Sequence, residues 1–261
     1  MTIAEMKKRK KELGYTNEKI SELSGVPLGT VQKIFAGVTE SPRYETLQAL
    51  SRVLGRKMDM VMESASYYMP GNEKAPGDYT VEDYYALPGE KRAELINGKM
   101  FDMASPSPLH QMIATEIWQS LKNYIRSVKG QCIPMVAPLD VCLDCDDKTM
   151  IQPDVLVVCD RKKIMNRCVF GAPDFVAEIV SDSTRKKDMY LKLEKYANAG
   201  VSEYWIVDPD KKKIITYGLS GGEIPAIYGF DSCVPVGIFA GKCTIDFREI
   251  LQYISFMYQK N

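Results

Sequence analysis

One proline- and glycine-rich stretch constrains this chain more than any other feature, because the hydrophobic period changes across it. Residues Glu63 to Tyr79 (ESASYYMPGNEKAPGDY) carry Pro70, Gly71, Pro76 and Gly77 and hold neither a helical nor a strand period, so they read as a linker or a loosely packed strap. Before this stretch, apolar residues recur at helical spacing. After it, short apolar runs bounded by turn signals alternate with amphipathic segments. The pattern predicts two domains, 1–64 and 79–261, joined by residues 65–78.

Charge divides along the same line. Residues 1–65 hold 11 Lys/Arg against 8 Asp/Glu, and the remainder holds 23 against 26, so the chain as a whole is neutral. That balance excludes a histone-like coat or a general polybasic binder. The 45% apolar content of the 261 residues suits globular domains that fold without a metal or disulfide staple. No apolar run approaches the roughly 18 residues of a membrane helix, and the charged start Met1–Lys11 has no apolar stretch behind it. These features predict a cytoplasmic protein with no membrane partner, whose seven scattered cysteines are reduced.

The first segment predicts four short helices. Ile3, Met6 and Leu13 mark one. Thr16, three residues before Lys19, caps a second that carries Ile20 and Leu23 and stops at Gly25. Pro27 opens a third with Val31, Ile34 and Phe35 on its apolar face, ended by Gly37. Leu47, Leu50, Val53 and Leu54 space a fourth. Two short helices joined through a glycine turn form a helix-turn-helix, which places the third helix in the DNA major groove. Thr30, Gln32 and Lys33 are its outward-facing candidates. Gln matches adenine N6/N7, and Lys donates to guanine or phosphate. The run Lys7-Lys8-Arg9-Lys10-Lys11 points all round one helix, so it reads as solubilising with some capacity for phosphate contact.

The second segment predicts an α/β domain around one mixed sheet. Glu94–Met103 is a hairpin about Asn97-Gly98, since both turn positions need positive φ. Pro108–Val128 is a long amphipathic helix. Strands are predicted at 134–143, 154–159, 174–180, 203–207 and 213–217. A helix capped by Ser183 or Thr184 is predicted to run to Ala199, and another to occupy Asp246–Tyr258.

Carboxylates interrupt the apolar strands. Asp154 starts Asp-Val-Leu-Val-Val, Glu178 lies inside Phe-Val-Ala-Glu-Ile-Val, and Glu94 opens the hairpin. A carboxylate in a buried strand is costly unless it is paired or binds a cation. Adjacent strands would bring Asp154 and Glu178 together, where a Mg²⁺ or Mn²⁺ ion relieves their repulsion. Lys192 shares a helical face with Met189 and Tyr196 and adjoins a stripe with Arg185 and Asp188. A half-buried lysine there can neutralise the acids or stabilise developing charge.

Residues 3–62 resemble the Cro/C1-type (Xre-like) helix-turn-helix family, through Thr16–Val26, Val31–Gly37 and Thr46–Leu50. The resemblance implies sequence-specific binding of double-stranded DNA. Gly29 stands where that family usually has Ser, which weakens one helix–phosphate contact. Residues 79–220 resemble the Uma2 family of the PD-(D/E)XK nuclease-like superfamily. The matching stretches are Glu94–Lys99, Ser105–Pro108 with His110, Gln152–Val155, and Pro173–Ser181 with Ser183-Thr184-Arg185, Asp188 and Lys192. The match continues through Tyr196-Ala197, Gly200-Val201 and Glu203–Pro209. This resemblance implies a restriction-endonuclease-like core that hydrolyses phosphodiester bonds. Asp154 and Glu178 would hold the metal, Glu94 would be a third acid, and a homodimer would be the form that cuts both strands. The superfamily's lysine two residues after the acid is replaced by Val180 here, which makes Lys192 its stand-in. A regulator with an inactive nuclease-like domain is the alternative.

Other signals carry less. Cys142 and Cys145 form a lone C-x-x-C, short of the four ligands of structural zinc. Asp140, Asp144, Asp146 and Asp147 lack the glycine of a calcium loop and read as a solvated hairpin tip. His110, at the start of a helix, reads as a hydrogen-bonded structural or substrate-facing residue. Trp118 and Trp205 read as core.

Overall fold

The computed structural model describes residues 3–13, 15–39, 42, 44–54, 74–89, 91–181, 187–221 and 224–259. The chain separates into two compact units, the first built on Met1–Glu63 and the second on Ser64–Ser220 and Pro225–Asn261.

The first unit contains α1 (Ile3–Leu13), α2 (Asn17–Ser24), α3 (Leu28–Ala36) and α4 (Tyr44–Leu54). Thr16 caps α2 by accepting the Lys19 N–H. Gly25 ends it at φ 70, a conformation that favours glycine. The turn into α3 is tied by Ser21 Oγ donating to the Val26 carbonyl at 2.7 Å. Met6, Ile20, Val26, Val31, Ile34, Leu50 and Leu54 form the core. Leu23, expected inside, is 49% exposed, although it lies one turn from the buried Ile20 on α2. Lys10 of the basic run turns inward, donating to Asn17 Oδ1 and sitting 5.1 Å from the centre of the Phe35 ring.

The second unit opens with α5 (Val81–Tyr85), which starts in a reciprocal cap between Thr80 and Asp83. The hairpin β1 (Ala93–Ile96) and β2 (Lys99–Asp102) follows, then α6 (Pro108–Ser127), β3 (Ile133–Val136), β4 (Val141–Cys142), β5 (Val155–Val158), β6 (Val169–Phe170) and β7 (Phe175–Ile179). Next come α7 (Leu193–Ala199), β8 (Glu203–Asp208), β9 (Lys213–Gly218), β10 (Ala226–Gly229), β11 (Cys233–Val236), β12 (Cys243–Asp246) and α8 (Phe247–Ile254).

Six strands form a mixed sheet in the order β10-β9-β8-β7-β5-β3, in which β7 and β8 are parallel and the other neighbours antiparallel. All five residues of β7 are buried, as expected of a strand covered on both faces. On one face Ile113, Ile117, Leu121 and Ile125 of α6 pack with α8 against Val155, Phe175, Ala177 and Trp205. On the other, Tyr196 of α7 meets Tyr204 of β8, with ring centres 4.9 Å apart.

The Asn97-Gly98 hairpin turn forms as predicted, with φ of 52 and 69. Gly98 is required there for a second reason. An added Cβ would lie 2.2 Å from the Gly77 carbonyl oxygen, because Gly77 and Tyr79 both donate their N–H groups to the Gly98 carbonyl. Residues 74–79 of the strap therefore dock on the hairpin tip. The rest of the strap lies outside the described residues.

Three expectations are corrected. The predicted strand 134–143 is two strands, β3 and β4, because the chain leaves the central sheet after Val136 and pairs with β6 instead. The thiols are not all reduced. The β3–β5 pairing continues past Ile133 and Val158 and sets Cys132 opposite Cys159, and the two are joined in a disulfide. The helix ending at Ala199 is not uniform, since a wider π-helical turn, Lys187–Lys192, precedes α7. Its predicted cap and Arg185 fall outside the described residues.

Candidate active site

The site is assembled by strand register. Val155 of β5 pairs with Ala177 of β7, so the next pair along is Asp154 and Glu178. Antiparallel partners point to the same side of a sheet, so two acids meet at one end of two buried strands. Glu178 is 3% exposed. Burial pushes its carboxyl well above the usual range against the opposing pull of Lys192, and the charges of Asp154, Asp188 and Glu94 push the same way.

Lys192 points inward, at 3% exposure. The π-helical turn sets Asp188 and Lys192 both facing the sheet. The Lys192 ammonium lies 2.8 Å from Glu178 Oε1, 2.8 Å from Glu94 Oε1 and 3.6 Å from Asp188 Oδ1. Burial acts to lower the lysine, but these three acids outweigh it and hold it well above its ordinary value. Lys192 therefore stays charged. One ammonium does not balance three carboxylates, so the excess negative charge falls on the acids, and Glu178 shows it. Glu94, fully buried on β1, is held by the Gln152 N–H as well as by Lys192.

Two groups flank this cluster. The Tyr196 hydroxyl donates to Glu178 Oε1 at 2.6 Å. His110 Nε2 lies 3.0 Å from Asp154 Oδ2, and the Ile179 N–H donates to that same oxygen at 2.8 Å. Each acid is thus clamped through one oxygen by two donors, Asp154 through Oδ2 and Glu178 through Oε1. Asp154 Oδ1 and Glu178 Oε2 take part in none of these bonds. Among the described residues, no group of three or more His, Cys, Asp or Glu is arranged to hold a metal. The donor set is two carboxylates beside surplus negative charge. It fits Mg²⁺ or Mn²⁺, since Mg²⁺ is typically bound through one or two carboxylates, with waters and substrate phosphates completing its shell.

The four residues singled out from sequence, Glu94, Asp154, Glu178 and Lys192, lie together in one cluster. Tyr196 and the Ile179 amide are added to them by the structure, and His110, read from sequence as a hydrogen-bonded structural or substrate-facing residue, joins them through Asp154. From sequence Tyr196 reads as an apolar-face position within the family resemblance, without a role, and a backbone N–H leaves no trace in residue type. The acidic loop is more ordered than a solvated tip. Asp140 accepts from Tyr84 and Gln152, and Asp144 accepts from Lys195 and Thr149. In the first unit Gln32 and Lys33 are exposed on α3 and Thr30 is half-buried.

Comparison with known proteins agrees with this architecture. Residues 6–61 match the family described as "Helix-turn-helix". A solved structure described as "a putative nuclease belonging to DUF820 from Anabaena variabilis ATCC 29413" superposes with a TM-score of 0.56 at 19% identity. It covers 67% of this chain and 98% of its own. At that identity the likeness speaks to fold, and the fold is restriction-endonuclease-like. No curated protein matches the chain. Residues 81–229, more than half of the sequence and the part that carries the acid cluster, match the family described as "Uma2: Putative restriction endonuclease", and the chain belongs to that family.

Proposed function

We propose that this protein is a divalent-cation-dependent endonuclease that hydrolyses phosphodiester bonds of double-stranded DNA and is directed by its helix-turn-helix. The observation that carries the reading is the Asp154–Glu178 pair, in which, among the described residues, each acid is pinned through one oxygen. Asp154 and Glu178 would hold Mg²⁺ or Mn²⁺, which supplies a Lewis acid and an acidified water when bound. Lys192 keeps Glu178 ionisable and sets a fixed positive charge beside the reacting phosphate, where negative charge builds. Glu94 is fully buried and bonded to Lys192, so we assign this third acid to holding that lysine. Gln32 and Lys33 on α3, with Thr30 beside them, are the proposed readers of the duplex. Cutting of both strands would call for a homodimer.

A second reading, a DNA-binding regulator with a silent sheet domain, draws on one observation. The Lys192 ammonium is buried and surrounded by three carboxylates, as in a purely structural ion cluster. Plasmid nicking with Mg²⁺ or Mn²⁺, on wild type and Glu178→Gln, separates the two. The endonuclease reading expects cutting by wild type alone. A wild type that shifts duplex DNA but leaves DNA and RNA intact with either metal supports the regulator.

A further inference from the structure

We infer that His110 is a positioning residue for Asp154, one that selects which carboxylate oxygen faces the cation. The inference rests on the metal-dependent reading above and deepens it. Ser107 caps α6 by accepting the His110 N–H at 3.2 Å, and Pro108 occupies the first helical position. These two residues fix the first turn of a 20-residue helix. Long side chains on a helix lean toward its N-terminus, so the imidazole is carried beyond the helix end to the start of β5.

There Nε2 meets Asp154 Oδ2 at 3.0 Å. A carboxylate only accepts, so Nε2 is the donor in this contact. Nδ1 is buried and has no hydrogen-bond partner among the described residues. Among the described residues the ring's polar contact is the one to Asp154. A side chain that gives its ring N–H to one oxygen of an acid, while the Ile179 N–H takes the same oxygen, orients that acid. Oδ1, which takes part in neither of these bonds, is the atom left for the cation. Supporting residues of this kind change metal affinity by about 10–100-fold when removed.

The test compares His110→Leu, which keeps bulk but has no donor, with His110→Gln, whose amide can reach the same oxygen. Mn²⁺ affinity is measured by calorimetry and duplex binding on the same samples, and crystals of His110→Leu show the Asp154 carboxylate. The expected result is Mn²⁺ affinity weakened about 10-fold or more in His110→Leu and within about 3-fold of wild type in His110→Gln. Duplex binding is unchanged in both, and Asp154 is rotated in His110→Leu. Nicking by His110→Leu should recover as Mn²⁺ is raised, which a loss of fold would not allow. Wild-type Mn²⁺ affinity in His110→Leu, with Asp154 in place, overturns the inference. A wild type that binds no cation refutes the metal-dependent reading instead. In that case the Asp154 rotamer in His110→Leu alone judges the positioning role, and an unmoved carboxylate overturns it.

Discussion

Two buried glutamates sit on neighbouring parallel strands, at opposite ends of the pair, and their surroundings differ in kind. Glu203 opens β8 opposite Phe175, whereas Glu178 lies late in β7 opposite Ile206. Glu203 uses both oxygens on neutral donors. Trp205 Nε1 donates to Oε1 at 2.7 Å and the Ile238 N–H to Oε2 at 2.8 Å. Gly237 lies close by, where an added Cβ would come within 3.2 Å of Oε2. Glu178 instead receives Lys192 and Tyr196 on one oxygen, with Asp154 and other acids nearby. Burial of a carboxylate therefore does not mark a reactive site. The distribution of its bonds does. Glu203 ties strand to loop, and among the described residues Glu178 is pinned at one atom.

The comparison breaks most directly in activity. Glu178→Ala should abolish plasmid nicking by more than about 100-fold, beyond the range of supporting residues, while Glu203→Gln leaves nicking per folded molecule unchanged. Equal losses would erase the distinction. In stability the order reverses. Glu203→Leu strands the Trp205 and Ile238 donors and should cost about 2–4 kcal/mol in urea unfolding.

A subtler cut is Tyr196→Phe, which removes only the 2.6 Å bond to Glu178. It should lower kcat about 10-fold with KM for DNA unchanged, and an unaltered kcat would show that Lys192 alone fixes the acid. The smallest effect is in pH. The folded-state value of Glu178 is raised, so its stabilising contribution is present below the unfolded value and lost as pH rises through the folded one. Glu178→Gln has no such loss. Without divalent metal it should melt about 2–4 °C above wild type at neutral pH, the shift for about 1 kcal/mol in a domain this size. The two melting temperatures should converge in acid.

Much of this architecture is legible in the sequence. Thr16, Gly25 and Gly37 mark real helix ends, and Asn97-Gly98 forms its turn. Glu94, Asp154, Glu178 and Lys192 stood out because a charge inside an apolar period is expensive and demands a reason. What escaped was partnership. Cys132 looked like a scattered thiol, since its disulfide with Cys159 depends on the register of β3 against β5. Asp140 and Asp144 looked solvated, since Tyr84, Gln152 and Lys195 arrive from distant segments.

Period, capping and turn chemistry are local, because a residue's own backbone and its near neighbours impose them. They suffice for two units, many of their elements and the identity of the clustered acids, but not for α5, β6 or the last three strands. The site itself is made by contacts across the chain. His110 reaches Asp154 over 44 residues and Tyr196 reaches Glu178 over 18. Which oxygen of each acid is bound, and which remains, follows from where α6 and α7 come to rest on the sheet. That placement is set by the packing of the whole core, and no segment of the sequence contains it alone.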